Sequence, residues 1–510
     1  MWRWQSSRTV VVGIAVAVFV VCCMLPIAYL LAVSLSGLDA HSALMLDARQ
    51  GRLLYNTALL GTGTALLATL IGAPLGIALA RISLPRKAFF RLALSAPVLL
   101  PPYIVGLAWT YLGSGGGWTY SLPAVIVVLS LVFYPVSMLA TEAAVRQVDG
   151  RLEEAALMVT PRGRVLRRIT LPLAAPGVLA AALMIFVLSV SEFGVPALLQ
   201  VRVYTTEVFT AFAALYNFTR AIVLTVPLLV LCIIVATIAA VLLGDRLVTT
   251  RRSSWTRPLV LDEWRRSATI AAIAVLIVAL VLPLAILVDE ARGARSLAAV
   301  LAASGVAIVN SLLLATAGAT VVVSVAVWLG YARARADGRL GQSADILFIV
   351  LFAVPSTIVG VGLIGLWNRS GPLGAVYGTD FMLLLGYLAR FIPVTALALA
   401  ASTRYVPVSH EEAAAVAGAG WLRTMWRIVL PQIQFGLAAA WVIAFVLVFG
   451  ELGVSILVAP PGEATLPIRV YTIIANTPSS HVAALALFQT AVIFVPLAAL
   501  GAALSLREVR

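Results

Sequence analysis

The sequence predicts an all-α polytopic membrane protein of about twelve transmembrane helices, built as two parallel six-helix repeats. Three observations carry that prediction. Of 510 residues 62% are hydrophobic and only 11% charged, with mean hydropathy +1.06, whereas soluble domains carry about 25% charged residues. Apolar runs of about 18 residues or more recur along the chain, long enough to cross a hydrocarbon layer roughly 30 Å thick. Segments of the first half reappear in the second at a steady offset. Within a bilayer the backbone must satisfy its own hydrogen bonds, so the spans are expected to be helices. The alternating strand pattern of an outer-membrane barrel is missing from the sequence.

The spans fall near 10–34, 56–81, 90–112, 122–144, 175–198 and 221–244, then 268–289, 305–331, 345–368, 381–402, 435–458 and 482–505. Pro and Gly inside 90–112 and 345–368 point to broken helices there. The first span follows "MWRWQSSR". It is too long for a typical signal-peptide core and shows no A-x-A cleavage site, so it reads as a retained anchor. Cys22, Cys23 and Cys232 all lie in apolar spans, where packing is the expected role and no spacing suggests a disulfide framework or metal site.

The formal charge of +14 is unevenly spread. With the N-terminus on the cytoplasmic side, inner segments hold 26 of the 35 Lys and Arg residues, outer loops hold eight, and Arg390 lies within a span. That is the positive-inside distribution, which orients the chain with both termini cytoplasmic. It argues against nucleic acid as a partner. The tract Arg251, Arg252, Arg257, Arg265 and Arg266 is better explained as topogenic or lipid-facing.

Repeats organise the chain more clearly than domains do. "NTALLGTGTALLATLIGAPLGIALARI" at 56–82 resembles "NSLLLATAGATVVVSVAVWLGYARARA" at 310–336, and "VFYPVSMLA" at 132–140 resembles "ARFIPVTALALA" at 389–400. "SEFGVPALL" at 191–199 resembles "GELGVSILV" at 450–458, and "RVYT" recurs at 202–205 and 469–472. An even number of spans per copy gives both copies one orientation, a parallel repeat about an axis normal to the membrane. The expected halves are 1–244 and 268–510, joined by a cytoplasmic linker at 245–267.

Two stretches are polar enough for water: "EEAALMVTPRGRVLRRITLP" at 153–172 and "EEAAAVAGAGWLRTMWRIVLP" at 411–431. Both fall between the fourth and fifth spans of their half, on the cytoplasmic side. Acidic residues followed by alanines make a good helix start; a turn, a second helix and a proline at the membrane entry complete the pattern. An interfacial helix resting on lipid headgroups is the alternative for a single copy, but it does not account for the same end-marks appearing twice.

The stretch resembles the EAA loop of ABC-importer permeases: Glu-Ala-Ala, three residues, Gly, nine residues, Ile-x-Leu-Pro. The second copy matches throughout, with Glu411 preceding Glu412, Ala413, Ala414, Gly418, Ile428, Leu430 and Pro431. The first has Glu153 and then Glu154, Ala155, Ala156, Ile169, Leu171 and Pro172, but is one residue shorter, with Thr160 at the glycine position and Gly163 displaced. The resemblance covers about 55–245 and 305–505 and implies a type I importer-like permease fold in a bacterial cytoplasmic (inner) membrane. It implies that each loop is a coupling helix docking one cytoplasmic ABC ATPase, two copies in all. It also implies an external substrate-binding protein that selects the cargo. Among fused, double permeases the resemblance is nearest to ferric-iron importers, with thiamine and phosphonate importers as close relatives.

No nucleotide chemistry is expected from this chain, and so no bound cofactor and no enzyme activity. A phosphate-binding loop needs Gly-x-x-x-x-Gly-Lys followed by Ser or Thr. Lys87, the only lysine, follows "ISLPR", which has no glycine. ATP with Mg is therefore expected on the partner ATPase.

Charges within spans are functional candidates by default. Glu192 and Glu451 form a symmetric pair about 17 residues beyond the cytoplasmic entry of their spans, just before Gly194 and Gly453. They read either as solvated outer helix ends or as part of an outer gate or cation passage. Arg390 has no counterpart in the first half; it can pair with a carboxylate or snorkel to a surface. Tyr204 and Tyr471 can line the outer mouth or anchor at the interface. His41, His410 and His481 are too scattered for a metal site. A secondary transporter of the major facilitator type shares the 6+6 arrangement. It is expected to carry an Asp- and Arg-rich motif between spans two and three, where this chain has "RISLPRKAFFR".

Overall fold

A computed structural model describes residues 2–36, 48–113, 117–243, 260–294, 296–336, 338–462 and 465–508, which form helices and turns with no strand among them. Among the described residues, nine helices are long and apolar enough to cross a membrane, and three bent pairs bring the number to as many as twelve. The first half comprises α1 (Ser6–Ser34), α2 (Ala48–Arg81), the pair α3 (Lys87–Leu99) and α4 (Pro102–Leu112), α5 (Leu122–Arg146), the short α6 (Gly150–Leu157), α7 (Arg162–Ser191) and α8 (Phe218–Leu242). The second comprises α9 (Asp262–Ala291), α10 (Gly305–Ala334), the pair α11 (Gly338–Ala353) and α12 (Ser356–Trp367), α13 (Asp380–Arg404), the short α14 (Val408–Val416), the pair α15 (Trp421–Gln432) and α16 (Gln434–Phe449), and α17 (Ser479–Gly501). Most of the expected linker, up to residue 259, lies outside the described residues.

The two breaks anticipated from Pro and Gly are present. α3 and α4 meet at 87°, α11 and α12 at 90°. The cause is local: Pro101 and Pro355 sit at the bends, and Leu100, preceding Pro101, is extended, as the residue before a proline tends to be. A third bend, 76° between α15 and α16, was not foreseen. The spans expected at 175–198 and 435–458 end sooner, at Ser191 and Phe449, because the chain turns at the glutamates that follow.

Each half is organised on a tight crossing of its second and fourth spans. α2 packs along α5, and α10 along α13. A Cβ on Gly72 would lie 2.4 Å from the Tyr134 carbonyl oxygen, and one on Gly76 2.4 Å from that of Met138. Gly330, which matches Gly76 in the repeat, meets the Ala396 carbonyl at 2.9 Å in the same way. Small residues four apart let two backbones approach, which is how helices associate where lipid supplies no hydrophobic drive.

The halves of the sequence are not the packed halves of the molecule. α1 lies against α10, α12, α13 and α15 as well as α8 of its own half, whereas α9 lies against α2, α3, α4 and α5 as well as α17 of its own half. Each first span thus crosses to the other repeat. The span ends beside the EAA-like loops follow: the Arg8 guanidinium lies 5.8 Å from the Tyr331 ring centroid, and Leu261 N–H donates to the Arg81 carbonyl at 3.0 Å. The start of α1 therefore lies beside the anchor of the second EAA-like loop, and the start of α9 beside the anchor of the first.

Candidate functional site

The two EAA-like loops form helix–turn–helix units, as their residues predict, but their paired glutamates divide into two kinds. Glu153 and Glu411, the first of each pair, are buried. Glu153 Oε1 accepts from Arg81 Nη2 at 2.9 Å and from the Thr170 hydroxyl at 2.7 Å. Glu411 Oε1 accepts from Arg335 Nε at 2.8 Å, and its Oε2 accepts from the Tyr331 hydroxyl at 2.8 Å. Arg81 and Arg335 occupy equivalent places in the repeat and also donate to backbone carbonyls of Val145 and Val406. A carboxylate with no water around it needs an internal cation, and each of these two has one. Glu154 and Glu412 are exposed.

Each loop presents one apolar tip beside those outer glutamates. Met158 and Val159 are 85% and 87% exposed at the end of α6, and Val416, the repeat counterpart of Met158, is 90% exposed at the end of α14. Ala155 and Ala413 are exposed as well, while Ala156 and Ala414 turn inward. The arrangement offers a flat, small-residue helix face with a single greasy end, anchored from beneath by a buried ion pair.

The turns differ. Gly418 has φ +78°; Ala419 N–H donates to the Ala414 carbonyl at 2.9 Å and Gly418 N–H to that of Ala415 at 3.0 Å, a Schellman cap that needs a left-handed residue. The first loop has Thr160 there and ends α6 without a left-handed residue, entering α7 at Pro161. Gly163 is not a displaced turn glycine: it lies inside the first turn of α7, in open space. Ahead of Pro172 and Pro431, residues 166–170 and 425–429 both widen into a π-turn, which relieves the clash of a proline ring with the preceding turn. Ile169 and Leu171 seat that entry in the core of the first half, and Leu430 does so in the second, with Ile428 partly buried beside it.

The second set of candidates converges on a cavity of about 140 Å³ between the halves. Glu192, Gly194, Glu451 and Gly453 all line it, together with Arg390 and the bend residues Pro101 and Ser356. Both glutamates end their helices and cap the turn that follows: Glu192 Oε1 accepts from Gly194 N–H at 2.9 Å, and Glu451 Oε1 from Val454 N–H at 3.0 Å. The glycines are needed for close approach. A Cβ on Gly453 would lie 2.0 Å from the Ser356 hydroxyl oxygen, and one on Gly194 2.9 Å from Tyr103 Cβ. Arg390 lies 3.7 Å from Glu451, the ion-pair alternative for that residue rather than the snorkelling one.

Tyr204 and Tyr471 do not belong to the cavity lining. Tyr204 is sealed in the core, and Tyr471 is half-buried with its ring 6.0 Å from Phe193. Hydrophobic ring faces are drawn into packing, whatever the appeal of a repeated "RVYT". The residues that sequence reasoning passed over are Arg81, Arg335, Thr170 and Tyr331. The signal for the two arginines was present, since both stand at the matching ends of the 56–82 and 310–336 repeat.

Comparison with known proteins supplies the identity of this arrangement. The family model described as "binding-protein-dependent transport system inner membrane component" matches twice, at residues 72–249 and 322–507. The chain belongs to this family. The permease is 24% identical over 451 residues to a Fe(3+)-transport system permease protein of Haemophilus influenzae, covering 85% of this chain and 86% of that one. It is 23% identical over 434 residues to a ferric transport system permease protein of Actinobacillus pleuropneumoniae, covering 78% and 63% of the two chains. A shorter match, 31% over 158 residues, joins 28% of the permease to 69% of a molybdenum transport system permease protein of Escherichia coli. The double family match makes the permease an inner-membrane transport component with both repeat units in one polypeptide.

Proposed function

We propose that this permease forms the membrane passage of an ATP-driven ferric-iron importer, receiving cargo from an external binding protein and seating one ATPase on each coupling loop. The observation that carries the reading is the doubled loop. Two helix faces, each with an outer glutamate and an exposed apolar tip, recur in a single chain. An exposed apolar side chain at the end of a small-residue helix suits a socket on a partner protein. The buried Glu153–Arg81 and Glu411–Arg335 pairs tie each loop to the end of α2 or α10, so a push on the loop would be transmitted to a span. Nucleotide chemistry is assigned to the ATPase, which would carry ATP with Mg.

Ferric iron is favoured on two grounds. Ferric permeases are among the relatives that match over most of the chain. Two carboxylates against one arginine at the cavity between the halves also suit a cation. The same charge balance disfavours an oxyanion such as molybdate or a phosphonate, leaving cationic thiamine as the alternative.

Reconstitution with a candidate ATPase and binding proteins loaded with iron, thiamine or phosphonate tests the reading. ATPase co-purification and iron-dependent uptake are expected, and replacing Glu154 and Glu412 together should uncouple hydrolysis from uptake. Uptake that follows an ion gradient with no ATPase present would reject it.

A further inference from the structure

The central cavity holds a charge pattern that the coupling role leaves unexplained. Its lining is nearly twofold: Phe133 with Phe391, Leu188 with Leu447 and Glu192 with Glu451 occupy matching places in the two repeats. Arg390 breaks that symmetry. It directly precedes Phe391, and its counterpart before Phe133 is Val132, a buried apolar residue. The cavity therefore holds two carboxylates and one guanidinium.

That guanidinium is only partly committed. Its Nη1 donates to the Val354 carbonyl at 2.9 Å, at the bend between α11 and α12. Its Nε is buried, makes no hydrogen bond among the described residues, and lies 3.7 Å from Glu451 Oε2. N–H···O bonds are made at about 2.7–3.2 Å, so the attraction is electrostatic without a bond that would have to break. Glu192 and Glu451 each use Oε1 for the following turn, and a carboxylate has about four lone-pair sites, so each keeps acceptor capacity for a further ligand. With all three groups ionised the cluster carries one uncompensated negative charge, which a water-poor interior penalises.

We propose that Glu192 and Glu451 form a transit site for an oxygen-seeking multivalent cation, and that Arg390 stands in for this cation while the passage is empty. Hard cations take carboxylate oxygens as ligands. A guanidinium can supply the charge without coordinating, and the Val354 carbonyl gives it a place to remain when a metal ion arrives. A volume of about 140 Å³ accommodates an ion with a few waters, each of which claims about 30 Å³ in the liquid. A site with a built-in competitor binds loosely enough to release, as conduction requires. The inference rests on the cavity being part of the passage proposed above. Its distinctive consequence concerns sign: removing the positive side chain should tighten cation binding rather than merely damage the protein.

The test uses the purified full-length permease and terbium(III), a trivalent oxygen-preferring probe whose emission nearby tyrosine can sensitise; Tyr103 lines the cavity. R390Q should bind terbium about tenfold or more tighter than the unaltered permease, while R390K, which keeps the charge, should bind like the unaltered permease and serve as the folding control. Adding E192Q or E451Q to R390Q should return the affinity to the parental level. R390Q binding no tighter than R390K would overturn the proposal, as would tight binding that survives loss of both carboxylates. Iron uptake by the unaltered permease is measured separately. Tight terbium binding by R390Q alongside uptake of a different substrate would reject the ferric reading and leave the cation site standing; iron uptake without it would reject the site alone.

Discussion

The two EAA-like loops differ in what holds them down. The first is secured by polar contacts: Arg81 and Thr170 on Glu153. The second keeps the arginine and adds aromatic packing, with Trp421 buried 5.6 Å from the Trp328 centroid and 5.8 Å from that of Tyr331. The Trp421 indole N–H donates to the Tyr331 hydroxyl at 3.3 Å, and Arg8 from α1 stacks over the same tyrosine. The position matching Trp421 in the first loop is Arg162, which is exposed. The duplication has kept the ion pair and let its surroundings diverge. What the two loops share is the tether from the loop to the second span of the half; what they do not share is the stiffness of the seat.

The comparison breaks most readily at its buried members. Trp421→Ala should cost about 3–5 kcal/mol, whereas Arg162→Ala should stay within about 0.5 kcal/mol, both read from denaturant midpoints of the full-length permease. E153A and E411A should each cost about 3–5 kcal/mol, because each leaves a buried or largely buried arginine without its carboxylate. If only one of them is destabilising, the shared tether is wrong. Removing single hydroxyls sharpens the same point: Tyr331→Phe and Thr170→Val should each lose about 1.5–3 kcal/mol, the value of a hydrogen bond to a charged group.

The glycines should give opposite signs. Gly418→Ala forces a Cβ into the left-handed region and should cost about 1–2 kcal/mol. Gly163→Ala, in an open helical position, should stabilise by about 0.5–1 kcal/mol. The smallest stability change belongs to Glu412→Gln, within about 0.5 kcal/mol. Its effect should appear in the coupling of ATP hydrolysis to uptake, and a coupling ratio equal to that of the unaltered permease would remove Glu412 from the docking surface.

Much of this was legible in advance. Pro101 and Pro355 announced the bends, since a proline ring excludes the helical hydrogen bond wherever it stands. Gly418 announced its turn. The doubled Glu-Ala-Ala loops and the Glu192/Glu451 pair were visible as repeated words in an otherwise apolar text. The roles within the loops were not: in "EEAA" two adjacent carboxylates look alike, and only the helix phase decides that Glu153 and Glu411 point inward while Glu154 and Glu412 point out. Tyr204 illustrates the converse, a residue whose repetition suggested function but whose environment is simply the core.

The sequence by itself determined the solvent, the helices, the duplication and the family, because hydropathy, proline geometry and motif spacing are properties of neighbours along the chain. Tertiary structure decided the rest. It alone crossed α1 and α9 to the opposite repeat, matched Arg81 with Glu153 across 72 residues, and brought Glu192, Glu451 and Arg390 to one cavity. Charges buried in a low-dielectric interior choose partners by distance in space, and that distance is set only when helices from both halves have packed.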